Sequence, residues 1–583
     1  MAISDYIVTI GLEVHCQIKT KSKMFCSCET GFGFEPNTRV CPTCLGLPGA
    51  LPVLNEFAIE RTLLTGLMLG CSSPEISQWD RKNYFYPDMA KNYQTSQLDL
   101  PLCLGGEVPL YPWSYPNDVI KAGVPPFRTV KLTRIHLEED AAKITHHANY
   151  SLIDYNRAGS ALMEIVSEPD IDTPEEAYAY LKSLQQILNY GDISDADMEK
   201  GQMRCDVNIS LRPHGQEELG AKVEMKNINS MSAVRRALHY EIRRQAEELD
   251  MGIPQIQSTR RWDDERGESV VMRTKEDAHD YRYFPCPDLV PVRTAPLVEK
   301  VRGQIPELPQ ERQKRFMEEY GLSEYDANVL VGDLELAHFF EEAARGTASG
   351  KKIANWVINN ISAVLNEKGM RPSECPVKPG AIRELIAIID DGTVSNNQAK
   401  DVFAKMWDEP ALAAAQAAKL LGFEKADSSF LDGIVREVIS ANPDKVAEIQ
   451  GGNEKLLNWL TGQVMKAAKG KANPKIVTEA LEKAPSLEEP STKSRFPSRC
   501  PLLARRASRF EQLPVSGQGV PYLLHFPGQR LLHHGKGKVR RLAHTDIGRQ
   551  GKGVPVHMRV QQSGARIIQE HVHHLVHLTG FVQ

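Results

Sequence analysis

The sequence predicts an α+β protein in which a largely antiparallel sheet forms a cradle and an all-helical half follows it. Three observations lead there. Segments of the first half alternate apolar and polar residues with the period of two of a half-buried strand. Capped helices are interspersed among them. From about Val298 the texture shifts to Ala, Glu, Lys, Leu and Arg, with apolar residues at helical spacing.

The first segment, Tyr6 to Thr20 (YIVTIGLEVHCQIKT), carries the clearest alternation. Tyr6, Val8, Ile10, Leu12, Val14 and Ile18 share one face, and Thr9, Glu13, His15, Gln17 and Lys19 share the other. MRCDVNISLRP repeats the pattern, with Arg204, Asp206 and Asn208 on its polar side, and AKVEMKNINS places Lys222, Glu224 and Lys226 together. An antiparallel sheet normally has one wet face. Here acids, bases and amides recur on all three strands, which makes that face the floor of a site. Between the strands, Thr173 followed by Pro174, Glu175 and Glu176 opens a helix that Gly191 ends. A second, Arg-rich helix runs from about Ser230 to Leu249.

Cys26 and Cys28 are separated by twelve residues from Cys41 and Cys44 of CPTC. Two close pairs across a loop can present four thiolates to one tetrahedral zinc, with no position left open for chemistry. Four reduced, partly buried thiols are the other reading. The remaining seven cysteines are scattered and read as core or incidental.

At 583 residues the chain is too long for a single core. The texture divides it into a cradle at 1–295, a helical linker domain at 296–365, a second helical domain at 366–483 and a basic, His-rich extension at 484–583. Residues 491–583 hold fifteen Lys and Arg against three acids and nine of the seventeen His, so the preceding 490 residues sit near −17. An acidic body of this kind excludes a uniformly basic nucleic-acid coat and confines RNA contacts to local patches. The Lys-rich KGKANPK segment is either such a patch or a solvated helix end. There is no run of ~20 apolar residues and no leader before the first strand, so the expected compartment is cytoplasmic.

GLEVHCQ, RKNYFYPDMAKNYQTSQ, HLEEDAAK, DYNRAGSALMEIVSEPDI, GQMRCDVNISLRP, VEMKNINS and HDYRYFPCPDL resemble, in order and spacing, the GatB family, the B subunits of the aspartyl/glutamyl-tRNA(Asn/Gln) amidotransferase. The resemblance covers about residues 4–483. It implies that the helical half ends in a YqeY-like domain that contacts tRNA, and that the extension past 484 has no counterpart, being disordered or a tail read in a shifted frame. It also implies a heterotrimer completed by the A and C subunits of the amidotransferase. In that family the B subunit uses ATP and Mg²⁺ to phosphorylate the side-chain carboxylate of Glu or Asp carried by tRNA(Gln) or tRNA(Asn). Ammonia that the A subunit releases from glutamine then displaces the phosphate.

The polar strand faces suit this chemistry. A carboxylate has no usable leaving group until it is phosphorylated, and the transfer crowds anions that need Mg²⁺ held by carboxylates and offset by Lys or Arg. Glu13 and His15, with Glu138 or Glu139 of HLEEDAAK, are the expected metal shell, joined by Asp206. Imidazole is an unusual Mg²⁺ ligand, so His15 binds through water or marks tolerance of Mn²⁺. Lys82, Arg204 and Lys226 are expected at the nucleotide phosphates, and Asn208 and Asn227 at the substrate. The chain has no GxxxxGK[ST] loop, no Gly-Gly-Ser-Ser-Gly-Gly run and no N-terminal Cys, so ammonia must come from another chain. The alternative reading is a catalytically silent scaffold that only binds tRNA. An aminoacyl-tRNA synthetase is disfavoured because HIGH-like and KMSKS-like segments are lacking.

Overall fold

The structure is a computed structural model that describes residues 5–123, 125–274, 281–423, 428–450, 455–467, 474–482 and 484. His279 and Asp280, residues 469–473 of the Lys-rich segment and the extension from 485 onward lie outside the described residues.

The alternating segment at the start is the strand Tyr6–Gln17, and it lies in the interior of a nine-stranded sheet. Met203–Pro213 pairs along one side of it and Ala161–Ser167 along the other. The sheet continues through Val223–Lys226, Ser258–Asp263 and Glu268–Thr274 in one direction. In the other it reaches Arg128–Glu139, which carries the short strands Cys103–Leu104 and Glu107–Leu110. All pairs are antiparallel except Val223–Lys226 with Ser258–Asp263.

Strand alternation divides the sheet into two chemically different faces. Leu12, Val14, Cys16, Ile135, Met163, Ile165, Val207 and Ile209 belong to one buried core. The helices Glu56–Met68, Pro174–Tyr190 and Met231–Asp250 contribute to the same core. Asn55 Oδ1 accepts the Ala58 amide (3.2 Å), Thr173 Oγ1 the Glu176 amide (3.1 Å) and Ser230 Oγ the Ala233 amide (3.1 Å), so all three helices start on side-chain caps. After the Pro174–Tyr190 helix, a Cβ on Gly191 would come 2.6 Å from the Met68 methyl, so a larger residue there would displace the Met68 side chain. A three-stranded sheet of Asp80–Asn83, Tyr93–Ser96 and Phe284–Pro285 walls the far end of the Arg128–Glu139 strand.

The second half is helical, as the texture predicts. Its helices from Pro309–Tyr320 to Ala414–Leu420 share one core running from Phe316 to Ala418, so residues on both sides of position 365 pack together. Ser428–Ala441 to Pro474–Glu482 share another, from Leu431 to Ala484. The cradle meets the helical half where Tyr190 Oη (2.9 Å) and Gln186 Nε2 both donate to the Val331 carbonyl. That carbonyl ends the helix Glu324–Val331 and has no partner within its own helix. No helix among the described residues is long and apolar enough to cross a membrane.

Candidate functional site

The polar face of the sheet carries two clusters of metal-ligating groups. In the strand register, His15 stands opposite Glu164 on one neighbour and Arg204 on the other, and Glu164 in turn stands opposite His136. Side chains in register on one face lie within contact range. His15 Nε2 is 3.4 Å from Glu164 and 3.8 Å from Glu138, while His136 Nε2 is 3.1 Å from Glu164 and 3.8 Å from Glu138. Two imidazoles thus share two carboxylates, and His15, Glu138 and Glu164 each offer a ligand atom within 4.8 Å of the others.

The electrostatics follow from this sharing. Burial alone would lower both imidazoles, but Glu164 and Glu138 outweigh it, raising His15 above its ordinary value and His136 to about 9. Burial would likewise raise Glu164, yet the two imidazoles hold it well below the usual carboxylate range. Glu138 is fixed by a hydrogen bond from Ser96 Oγ (3.0 Å).

The second cluster lies one step along the same face. Glu13 opposes Asp206, and Glu13, Asp206 and Glu224 also bring one oxygen each within 4.8 Å of one another. Lys226 ion-pairs with Asp206 and, at 3.0 Å, with Glu224. Asn208 Nδ2 donates to Glu13 (2.9 Å), while its Oδ1 is buried and has no partner among the described residues. A buried amide oxygen without a donor calls for a partner, a ligand group or a water.

The expected site residues are therefore distributed unevenly. Glu13, His15, Glu138, Asp206, Asn208 and Lys226 gather on one face. Lys82 faces the same acids: burial would lower its ammonium, but Glu138 and Glu164 raise it, and its Nζ lies 4.9 Å from the centre of the Tyr281 ring. Arg204 stands beside His15 in register but spends its guanidinium on Asp140 (2.8 Å). Two residues are placed elsewhere. Glu139 follows Glu138 on a strand and so turns to the opposite side, where it binds Lys91 and the Thr95 amide (2.9 Å). Asn227 has a φ of 64° and donates to the Trp262 carbonyl (3.2 Å). Sequence reasoning placed Glu224 on the polar face without assigning it a role and did not nominate Glu164 or His136. The signal for Glu164 is its position in ALMEIVS, a lone carboxylate within an otherwise apolar run.

The cysteine sulfurs of Cys26, Cys28, Cys41 and Cys44 also lie within 4.8 Å of one another. The Cys41–Cys44 sulfur separation is 3.8 Å. Sulfurs about 2.3 Å from a tetrahedral ion are spaced at roughly 3.8 Å, so this group could hold a metal. A hydrogen bond with Cys26, then the Cys41 amide and Lys23, draw the Cys44 thiol down to about 4 against its burial. Lys23, itself buried, donates to Cys44 Sγ (3.6 Å) and the Tyr155 carbonyl (3.1 Å).

A family model described as the GatB/GatE catalytic domain matches residues 8–298, and a second, described as the GatB domain, matches residues 338–484. The B subunit of the aspartyl/glutamyl-tRNA(Asn/Gln) amidotransferase of Carboxydothermus hydrogenoformans is 47% identical over 486 residues, 82% of this chain and 98% of the relative. The chain belongs to the GatB family of amidotransferase subunits. Its counterpart in Methylacidiphilum infernorum is 49% identical over 481 residues, covering 82% of this chain and 99% of that protein. For the GatB protein of Persephonella marina the identity is 48% over 485 residues, with 82% and 99% covered. Both acid clusters and the four cysteines fall within the segment matched to the GatB/GatE catalytic domain.

Proposed function

We propose that this GatB chain is the ATP-dependent component of a tRNA amidotransferase, a carbon–nitrogen ligase with glutamine as nitrogen donor. It phosphorylates the side-chain carboxylate of Glu-tRNA(Gln), Asp-tRNA(Asn) or both. It then amidates that carboxylate with ammonia from the A subunit, in a cytoplasmic heterotrimer with the A and C subunits. The observation that carries this reading is the pair of acid clusters on one sheet face with cations beside them.

The donor sets fit the groups the reaction needs. Carboxylate oxygens suit Mg²⁺, and His15, Glu138 and Glu164 in one cluster, Glu13, Asp206 and Glu224 in the other, would hold it. When bound, Mg²⁺ neutralises and orients the nucleotide's phosphates. Lys226, paired with Asp206 and Glu224, is positioned to swing onto a phosphate when a divalent ion takes its place. Lys82 faces the first cluster and would offset charge developing on the transferred phosphoryl group. The unpartnered Asn208 Oδ1 would orient the substrate. Arg204, held on Asp140, acts as a positioning group beside His15. The four thiolates would hold a structural zinc with no open position.

The test is phosphate release from γ-labelled ATP by the complex with the A and C subunits, given Glu-tRNA(Gln) and Mg²⁺ and no ammonia donor. Release that requires the charged tRNA and disappears in Glu13→Ala is the expected result. Bound tRNA without any turnover would leave the silent scaffold.

A further inference from the structure

Lys23 is the only buried lysine or arginine among the described residues, at 1% exposure. No carboxylate of the described residues lies within ion-pair distance of it. Glu139, the nearest acid around it, is spent on Lys91. A buried ammonium without an anion is costly to hold. The polar neighbours of Lys23 Nζ are the Tyr155 carbonyl (3.1 Å) and Cys44 Sγ (3.6 Å), and of these only the sulfur can carry charge. Four neutral thiols, the other reading of the sequence, would leave the ammonium no counter-charge. Four thiolates around a divalent zinc leave a net charge of about −2, which a neighbouring ammonium offsets in part. The Cys41 amide is a second donor to Cys44 Sγ (3.1 Å).

The backbone around Lys23 ties this charge to the sheet. The Lys23 amide donates to the Cys28 carbonyl (2.9 Å), in the first cysteine pair. The next amide, that of Met24, donates to the Gly159 carbonyl (2.7 Å), and the Gly159 amide donates to the Asp140 carbonyl (2.9 Å). Gly159 has a φ of 83°, and a Cβ there would meet Lys23 Cδ at 3.5 Å, Cys44 Cβ at 3.7 Å and Glu139 Oε2 at 3.8 Å. The lysine stem, the cysteine group and the strand end that carries Glu138 and Glu139 therefore converge on one backbone position. Asp140 follows directly, and it holds Arg204 beside His15.

We propose that Lys23 is a positioning residue: its ammonium balances the charge of a zinc–thiolate centre and, anchored there, pins the segment 155–159 against the end of the Arg128–Glu139 strand. Zinc occupancy then sets how firmly the edge of the first acid cluster is held, a reach beyond stapling the cysteine loop alone. The inference rests on the reading of the four cysteines as a zinc centre. Stripping the metal takes away the charge that holds the ammonium, and with it the grip of Lys23 on Tyr155.

The experiment uses the full chain in complex with the A and C subunits, as wild type, Lys23→Met and Lys23→Gln. Methionine fills much of the same space without charge, glutamine keeps a donor without charge, and a circular dichroism melt checks that each variant folds. Zinc dissociation constants come from competition with a chromophoric chelator. Hydrogen exchange over residues 155–160 is followed with and without zinc. Both variants are expected to bind zinc at least about tenfold more weakly, the loss that follows removal of a group supporting a metal ligand. In the wild type, zinc removal should speed exchange over 155–160; in the variants, exchange there should no longer respond to zinc. A lysine that only filled space would move the melt and leave zinc affinity where it was. Unchanged zinc affinity in either folded variant overturns the role of Lys23 and leaves the zinc centre standing. Wild-type exchange that ignores zinc overturns the coupling to the sheet. A wild-type complex that binds no zinc removes the centre itself, and Lys23's role with it. Phosphate release, measured separately, decides the phosphorylation reading in every case.

Discussion

Glu164 is the residue on which the first cluster turns, because it alone stands in register between His15 and His136. Glu164→Gln keeps the shape and removes the charge. It is expected to lower tRNA-dependent phosphate release at least about 100-fold, roughly 2.7 kcal/mol of barrier, while the circular dichroism melt stays cooperative. Asp140 is a different case, a buried carboxylate with no exposed face. Burial opposes its ionisation, but Arg204 and Arg157 and the hydrogen bonds of Gln17 and Arg204 outweigh it and hold its carboxyl below the ordinary 3.8. Its folded pKa is depressed, so its stabilisation is present above that ordinary value and is lost as pH falls through the folded one. Asp140→Asn is expected to cost about 2 kcal/mol near neutrality in denaturant titrations. The deficit should shrink below pH 3.8, where the wild type loses the same charge; a deficit independent of pH would assign the loss to packing.

Elements explain why some of the site could be read from the chain and some could not. The polar faces of Tyr6–Gln17 and Met203–Pro213 are legible because a strict period of two places Glu13, His15 and Asp206 on one side in any strand. The same rule separates Glu138 from Glu139, but where the Arg128–Glu139 strand ends, and hence which acid turns to the site, is set by its neighbours. Gln97 Oε1 accepts the Leu137 amide and the Thr95 amide reaches Glu139. Glu164 lies in a strand whose other residues are almost all buried, so its composition reads as core. The loop around the cysteines depends on Asn37, at a φ of 59°. Asn37 donates to the Ile153 carbonyl (2.9 Å) and accepts the Tyr155 amide (2.8 Å), tying the loop to the Lys143–His146 and Ser151–Asp154 hairpin. Asn37→Ala removes both bonds, and hydrogen exchange should speed up selectively over residues 30–40 and 151–156. Thr173→Ala, by contrast, should cost about 1 kcal/mol without local opening near the site, as expected for a lost helix cap.

At the scale of the whole molecule, the two family matches together span residues 8–484, with a gap from 299 to 337, and the last core closes on Ala484. A chain ending at Ala484 is therefore expected to keep its thermal midpoint and its amidation rate; loss of either would make the extension part of the working protein. The helical half also shows how packing overrides texture. A division at 365 follows composition, yet Leu365 and Cys375 lie in one core with Phe316 and Phe403, because short helices cannot each bury an apolar face alone. Local order along the chain was enough for the alternation that splits the sheet into an apolar and a polar face, the caps of the cradle helices, the four-cysteine loop and the family. Each of these depends on residues near one another in the chain. Packing in three dimensions was needed to complete the two clusters with Glu164 and Glu224, to turn Glu139 away to Lys91, and to bring Lys23 and Tyr155, 132 positions apart, into contact. Those depend on strand register and loop docking, which bring together residues that no local pattern connects.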